Sequence, residues 1–241
     1  MRHRLTRHLL AQIVCLGTHS ITSLLSASGR LDEDWTSDYR MYSRRRIDPD
    51  ALFASVRTNM LSAFTDPHLP AVVALDDTRI RKCGRKVSGV KYTRDPLSPP
   101  FHVNLIRAQR FLQLSLATSD DAEARMIPIA WRHAPSPHKP SADAPAEEQR
   151  EFRAACLRQS LASAAAAELH RMRSWMDEHG QQQRPLWTIV DGGYTNGRVL
   201  KNLPPRTLLV GRFRADAKLH FLPPAEEALK GRPRVYGAQA P

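Results

Sequence analysis

Apolar residues over the first 68 positions recur at steps of three and four, the spacing that places them on one face of a helix. The pattern is carried by Leu9, Ile13, Leu16, Leu24, Val56, Met60 and Phe64. Pro67 and Pro70 then interrupt it, because proline lacks the backbone N–H that a helix interior needs. The spacing therefore predicts a small all-helical region over residues 1–68, with a domain boundary before residue 69.

Two short runs further along the chain are almost entirely apolar, and an aspartate follows each of them. Residues 71–75 precede Asp76, and residues 186–190 precede Asp191. An apolar run of this length is typical of a strand that is buried on both faces of a sheet. Ligands of α/β proteins bind outside the carboxyl ends of such strands, so both carboxylates are expected at the mouth of a sheet.

The rest of the pattern completes an α/β domain over residues 69–241. A basic loop over 79–94 precedes two strands within 101–118, with an apolar piece at 126–131 that extends one of them. The spacing over 146–179 predicts one long helix ending at Gly180, followed by a short helix at 196–202 and a strand at 207–210. The order β, β, β, α, β, α, β is that of a ribonuclease H-like mixed sheet with flanking helices.

Charge indicates the class of partner. The chain has 36 Lys and Arg against 24 Asp and Glu, a net charge of +12, which is the electrostatic signature of a protein that contacts a polyanion. The excess is local, with nine basic against three acidic residues over 71–118 and ten against four over 181–241. These two segments also contain Asp76 and Asp191. Charge alone does not separate DNA-binding from RNA-binding or membrane-surface proteins.

Other function classes find little support. Cys15, Cys83 and Cys156 are odd in number and far apart, so they form neither a disulfide framework nor a zinc motif. His133 and His138 share a proline-rich loop without a third metal ligand nearby. The chain has no phosphate-binding glycine loop for a nucleotide cofactor, no membrane span and no signal-peptide cleavage motif. We expect a soluble cytoplasmic protein.

Two carboxylates on converging strands suit phosphodiester chemistry. Magnesium prefers oxygen ligands and keeps several waters, so a few Asp or Glu side chains are enough to hold it. Two ions about 3.5–4 Å apart activate the attacking oxygen and stabilise the leaving one. The alternative is structural, since aspartate often caps helices and opens turns.

The family resemblance favours the chemical interpretation. Segments 73–78, 81–86, 94–97, 110–115, 190–194 and 210–219, together with the helical amino-terminal region, resemble the DDE transposases of bacterial insertion sequences. In that family an Asp-x-Thr pattern ends the first strand and an Asp-x-Gly-Tyr pattern ends the fourth. The resemblance implies that Asp76 and Asp191 are the catalytic, metal-binding aspartates, with Mg²⁺ or Mn²⁺ as cofactor. Asp77 is the alternative to Asp76.

The resemblance also implies DNA as partner, and the basic residues near the two aspartates are candidates for contacting it. These are Arg79, Arg81, Lys82, Arg85, Lys86 and Lys91 after the first run, and Arg212, Arg214 and Lys218 after the second. The last three alternate with Phe213 and Leu219, a strand-like pattern with one basic face. Arg44 to Arg46 form a further candidate contact. In each case the alternative is a solvated basic surface.

The third family residue, a glutamate on a late helix, is not evident. Glu226 and Glu227 lie among prolines and glycine, which favours a loop. We therefore expect a chain truncated before its own catalytic glutamate. The first hypothesis is a DDE transposase that cleaves and transfers DNA strands. We expect the complete protein to act as a homodimer and to associate with the bacterial nucleoid. The alternatives are a catalytically inactive DNA-binding remnant and a ribonuclease H-like nuclease that acts on RNA or hybrids.

Overall fold

The computed structural model describes residues 2–43, 47–84, 86–99, 101–119, 123–213, 215–221 and 237–239. It has two compact units, Met1–Leu52 and Phe53–Pro241. Helix α4 (Pro49–Ala63) begins in the first unit, and most of its length belongs to the second. The sequence-based domain limits of 1–68 and 69–241 stay a prediction. Among the described helices, none is long and apolar enough to cross a bilayer.

The first unit is helical, as predicted. It contains α1 (Arg2–Val14), α2 (Ile21–Ala27), α3 (Thr36–Ser43) and the start of α4. Its small core is formed by Ala11, Leu24, Leu25 and Met41. A buried polar contact joins α1 to α3, with His8 Nε2 2.8 Å from Asp38 Oδ1. The candidate contact at Arg44 to Arg46 lies outside the described residues.

The second unit is a mixed α/β structure. Its strands are β1 (Ala71–Arg81), β2 (Lys91–Arg94), β3 (Leu105–Ala117), β4 (Met126–His133), β5 (Leu186–Val190) and β6 (Thr207–Gly211). Its remaining helices are α5 (Ala146–Arg158), α6 (Leu161–Glu178) and α7 (Gly197–Leu200).

The six strands form one sheet in the order β2, β3, β1, β5, β6, with β4 paired to β3 further along that strand. Strands β1, β5 and β6 run parallel, whereas β3 is antiparallel to β1, β2 and β4. Helices α5 and α6 precede β5, and α7 precedes β6, because parallel neighbours need a crossover connection rather than a tight turn. This arrangement is the predicted ribonuclease H-like mixed sheet.

One face of the sheet packs against helices to form the core. Val73, Leu75, Leu114 and Leu186 are fully buried on the strands. The facing side chains are Met60 and Leu61 of α4 and Leu169, Met172 and Met176 of α6. Arg57 fixes α4 further, donating to the Ile129 carbonyl at 3.1 Å and lying 5.4 Å from the Trp175 ring centre. Burial of each large apolar side chain contributes about 1.5–3 kcal/mol.

Three predictions about element limits were wrong. Strand β1 does not end at Leu75 but continues to Arg81, because β3 pairs with it as far as Arg81 and Ala108. The stretch 101–118 contains one strand, β3, rather than two, and 126–131 belongs to a separate strand, β4. The long helix is two helices, because the Ser160 hydroxyl accepts the Ser163 N–H and caps a new start.

Two further expectations also need correction. The apolar runs were expected to be buried on both faces, but Trp187 and Ile189 are 43% and 45% exposed. An apolar run shows that the side chains on both faces of a strand are apolar. It does not show that other elements of the protein cover both faces. The basic segment after β6 is not a strand, since residues 212, 213 and 215–219 have irregular or turn backbone. Arg214 lies outside the described residues.

Candidate active site

The pairing of β1 with β5 brings the two predicted catalytic aspartates to one place. Leu75 and Val190 are the last paired residues of these parallel strands. Asp76 and Asp191 follow them directly, so the two carboxylates leave neighbouring strands at the same level of the sheet. Strand β5 stops at this point, so one edge of β1 has no neighbouring strand among the described residues from Asp76 onward.

Asp76 and Asp191 each follow a core residue that faces the helices. The core residues Val73 and Leu75 of β1 face the helices, as do Thr188 and Val190 of β5. Side chains alternate along a strand, so Asp76, which belongs to β1, points to the face opposite Leu75. Asp191 comes directly after the last residue of β5. Asp76 and Asp191 are both exposed, and Asp77 lies on the helix-facing side.

Local backbone contacts hold each of the two carboxylates. Asp76 Oδ1 accepts the Asp77 N–H at 2.8 Å, at the level where β5 has ended. Asp191 Oδ1 accepts the Gly193 N–H at 2.9 Å and so shapes the turn after β5. Within the described residues, Oδ2 of both side chains accepts no hydrogen bond. Each carboxylate therefore keeps one oxygen for a ligand.

Tyr194 links the ends of the two strands, a contact that sequence reasoning did not find. Its side chain is 1% exposed, and its hydroxyl donates to Asp77 Oδ1 at 3.0 Å. Burial, and then the negative charge of Asp77, raises the pKa of Tyr194 above its usual range. The phenol is therefore a neutral donor at physiological pH. Its place in the Asp-x-Gly-Tyr pattern was the only sequence signal for it.

The turn after Asp191 is packed tightly against the end of β6. The Thr195 hydroxyl donates to the Arg212 carbonyl at 2.7 Å. A Cβ on Gly211 would lie 2.2 Å from Thr195 Cγ2 and 2.8 Å from Val190 Cγ2, so only glycine fits there. The backbone of Arg212, a predicted DNA-binding residue, is thereby held beside the Asp191 turn.

The other predicted DNA-binding residues are distributed along the outer part of β1 and beyond. Arg79 and Arg81 lie on β1, Lys82 follows it, and Lys91 is the first residue of β2. Arg81 is occupied by Asp95, with Nη2 2.6 Å from Oδ2. A backbone N–H from Leu97, and then Arg81, holds the pKa of Asp95 below its usual value.

The remaining residues of that set have a less defined place. Lys86 is exposed in a turn, and Lys218 is exposed in the segment after β6. Arg85 lies outside the described residues, as Arg214 does. Of this set, Arg79 lies on the same strand as Asp76, and the Arg212 backbone contacts the turn after Asp191. No contact among the described residues relates Lys218 to the two aspartates.

The donor set fits part of a hard cation site. Among the described residues, no three His, Cys, Asp or Glu side chains are grouped so that they could hold a metal ion. Asp76 and Asp191 offer two carboxylate oxygens without protein partners, which suits a divalent cation that takes its other ligands from water or phosphate. Glu226 and Glu227 lie outside the described residues. Buried Glu168 is engaged by Arg132 at 2.9 Å and by Arg171.

The histidine alternative gains no support from the described residues. His133 packs its ring 5.1 Å from the centre of Phe111, and burial lowers its pKa. His102 and His138 form no metal-binding group with it.

Comparison with known proteins assigns the chain to a family. No curated protein and no solved structure matches it. A family model described as DDE superfamily endonuclease matches residues 1–241. The chain therefore belongs to the DDE superfamily endonucleases, whose members normally use divalent metal ions.

Proposed function

We propose that the chain is a transposase that cuts and joins DNA strands at the ends of an insertion sequence, with Mg²⁺ or Mn²⁺ held by Asp76 and Asp191. The pairing of Leu75 with Val190 is the observation that carries the proposal, because it sets the two carboxylates side by side at an open strand edge. The family supplies the reaction class, since its members are endonucleases.

The protein residues position the reacting groups. Asp76 and Asp191 would hold the cation through one oxygen each, because the Oδ1 atom of each side chain accepts a backbone N–H. A divalent cation, when bound, supplies the charge that activates the attacking water or 3′-hydroxyl and stabilises the leaving oxygen. The basic side chains near the site balance the negative charge of the DNA phosphates and hold the DNA strand in place. Contacts of this kind position DNA without reading its sequence.

A DNA-cleavage assay tests this proposal. The substrate is a supercoiled plasmid that carries the DNA flanking the gene, and the products are nicked DNA and DNA joined to a second fragment. We expect both products with Mg²⁺ or Mn²⁺ and neither with EDTA. Removing both ligands with Asp76→Ala and Asp191→Ala should lower the rate on the order of 10³-fold, the effect of losing preorganised charge stabilisation.

The control is Asp143→Ala, which removes a carboxylate from an exposed turn position. It should leave the cleavage rate unchanged. Cleavage that continues unaltered after loss of both Asp76 and Asp191 would exclude them as the metal ligands.

The alternative, a DNA-binding remnant without catalytic activity, is motivated by the lack of a third grouped carboxylate among the described residues. It predicts binding of the same DNA with no product at any concentration of Mg²⁺ or Mn²⁺.

Sedimentation of the DNA complex tests our further proposal that two copies act together on paired DNA ends.

A further inference from the structure

A cavity of about 160 Å³ lies beside the outer part of β1, beyond the point where β5 ends. Arg79, Lys91 and Arg110 line it, together with the small or neutral side chains of Thr93, Ala108 and Ser136. None of the described residues that line it is acidic. Arg110 was not among the residues that the sequence indicated for DNA binding.

Strand register explains why the three cations meet. Arg79 pairs with Arg110 across β1 and β3, and Lys91 pairs with Ala108 across β2 and β3. Residues 108 and 110 are two apart, so these pairs share one face of the sheet. The short side chain of Ala108 leaves space between Lys91 and Arg110. Three positive charges from three strands therefore surround one depression.

The walls of the cavity are held in place. Gly89 has a φ of +71°, and a Cβ there would lie 2.4 Å from His133 Cε1, so the position requires glycine. The Gln109 side-chain amide donates to the Ser88 carbonyl at 2.7 Å, which anchors the same loop. The loop before β2 thus packs directly against the end of β4.

The Arg110 guanidinium is oriented by its own contacts. Its Nε donates to the Ala134 carbonyl at 3.3 Å, and its Nη2 donates to Ser136 Oγ at 3.3 Å. Neither partner carries a charge, so these contacts do not neutralise the positive charge of Arg110. A guanidinium held in this way loses little rotamer freedom when it binds an anion.

The cavity keeps most of its positive charge. The Asp77 carboxylate is 4.0 Å from Arg79 Nη2, but it already accepts the Tyr194 hydroxyl. Asp95 is paired with Arg81 and does not line the cavity. Three cations line the cavity, and the one carboxylate near them among the described residues, Asp77, is 4.0 Å from Arg79 and is not a lining residue. This excess of positive charge favours an anionic ligand, and charge-assisted hydrogen bonds from arginine suit the oxygens of phosphate.

We propose that this cavity binds one phosphate group of the DNA strand, so that Arg79, Lys91 and Arg110 anchor the substrate near the catalytic aspartates. The proposal rests on the proposed function, which supplies DNA as the substrate. Arg79 lies two residues beyond Asp77 on the same face of β1, about 7 Å along the strand. Asp76 points to the other face, and the open edge of β1 gives a DNA strand access to both faces. A phosphate held in the cavity sets the register of the strand relative to the bond that is cut.

Salt-dependent DNA binding by the full chain tests the proposal. A fluorescent duplex is titrated at several salt concentrations with wild type, Arg110→Gln, Lys91→Gln and the matched control Arg150→Gln. Arg150 is an exposed arginine on α5 and does not line the cavity. We expect Arg110→Gln to weaken binding about tenfold at low salt, the typical effect of losing a hydrogen bond to a charged group. The slope of log affinity against log salt should fall by about 0.9, the value for one phosphate contact.

The Lys91→Gln variant separates an effect on DNA binding from an effect on folding. Lys91 is exposed, and its amine makes a 3.5 Å contact with the Pro137 carbonyl, so its replacement should not change the fold. It should lower affinity and slope in the same direction with an unchanged melting temperature. The control Arg150→Gln should keep the wild-type slope. Equal slopes for all four proteins, with DNA bound normally, would overturn the cavity proposal and leave the proposed function standing.

A second arm separates DNA from free phosphate. Millimolar inorganic phosphate is added to wild type and to Arg110→Gln without DNA, and the melting temperature is followed. If the cavity binds a phosphate group only as part of a DNA strand, free inorganic phosphate should raise the melting temperature of the protein little. Strong stabilisation of wild type only, without DNA binding, would show a site for free phosphate and contradict both the DNA assignment and the proposed function.

Discussion

The two halves of strand β1 belong to one continuous strand and have opposite environments. Residues 71–75 have β5 as a neighbour on one side, and β3 pairs with the strand on the other from Val73 onward. The inward side chains of this half are buried. Residues 76–81 pair with β3 and, in the part of the chain that the structure describes, with no second strand, and they carry two aspartates and two arginines. A single strand thus serves as core in its first half and as a candidate active site in its second.

This contrast shows how an apolar sheet supports a charged site. The buried half fixes the strand, so the position of Asp76 is set by Leu75 and its partner Val190 rather than by a flexible loop. The open edge then gives ligands access to groups on a rigid element, which is the arrangement that precise catalysis needs. If the two halves differ in this way, substitutions in each should affect different properties.

The largest expected effect separates the adjacent carboxylates Asp76 and Asp77. We expect Asp76→Asn to lower the metal-dependent cleavage rate on the order of 10³-fold, because a metal-facing carboxylate is lost. Asp77→Asn should lower it only about tenfold, as expected for a group that supports the site indirectly. The amide oxygen introduced at position 77 can still accept the Tyr194 hydroxyl. The measurement is the initial rate of plasmid nicking, and the reverse ranking would make Asp77 the ligand.

Substitutions in the buried half of β1, residues 71–75, should change the free energy of unfolding. Leu75→Ala removes a fully buried side chain and should lower the free energy of unfolding by about 2–5 kcal/mol. Ile80→Ala, at a position that is 37% exposed on the same strand, should lower it by less than about 1 kcal/mol. Denaturation by urea, followed by circular dichroism, measures both. Similar losses at the two positions would contradict the division of β1.

The contact that joins the ends of β1 and β5 should have an intermediate effect. Tyr194→Phe removes the hydroxyl that donates to Asp77 and leaves a partly buried carboxylate without this donor. We expect the free energy of unfolding to fall by about 1–3 kcal/mol. Tyr39→Phe is the control, since its hydroxyl contacts Thr22 at an exposed position. An unchanged free energy of unfolding after Tyr194→Phe would show that this hydrogen bond does not stabilise the junction between the ends of β1 and β5.

The same tyrosine predicts a pH effect at the alkaline end. The folded state raises the pKa of Tyr194, so the unfolded chain releases the phenolic proton first as the pH rises. The contribution to stability is complete below the unfolded pKa near 10 and is lost above it, by about 1.4 kcal/mol for each pH unit. Comparing wild type with Tyr194→Phe between pH 9 and 11 isolates this group. Parallel curves for the two proteins would contradict the prediction.

Much of the architecture follows from local pattern. The helical amino-terminal region, the strands at 71–75, 186–190 and 207–210, and the helix that ends near Gly180 were all predicted from periodicity. Asp76 and Asp191 were chosen because each follows an apolar run and because the family resemblance places them in the Asp-x-Thr and Asp-x-Gly-Tyr patterns, and their roles stay a prediction. Local pattern works here because the burial of one face imposes a period on the sequence.

Element limits were less predictable because they depend on partners distant in the chain. Strand β1 continues through charged residues since β3 pairs with it, and no local property of Arg79 or Arg81 indicates this. The division between α5 and α6 depends on whether the Ser160 hydroxyl turns to cap the second helix. Both outcomes are decided by which backbone groups find a hydrogen-bond partner.

By itself, the sequence determined the α/β class, the basic character of the segments around the two aspartates and the candidate pair Asp76 and Asp191. Only the tertiary structure decided that these two follow paired residues of neighbouring parallel strands, while the Asp77 carboxylate accepts the Tyr194 hydroxyl, 117 positions away. It also decided that Arg110 joins Arg79 and Lys91 around one cavity. The reason is physical: alternation sets the face of each residue, but register between distant strands sets which residues meet.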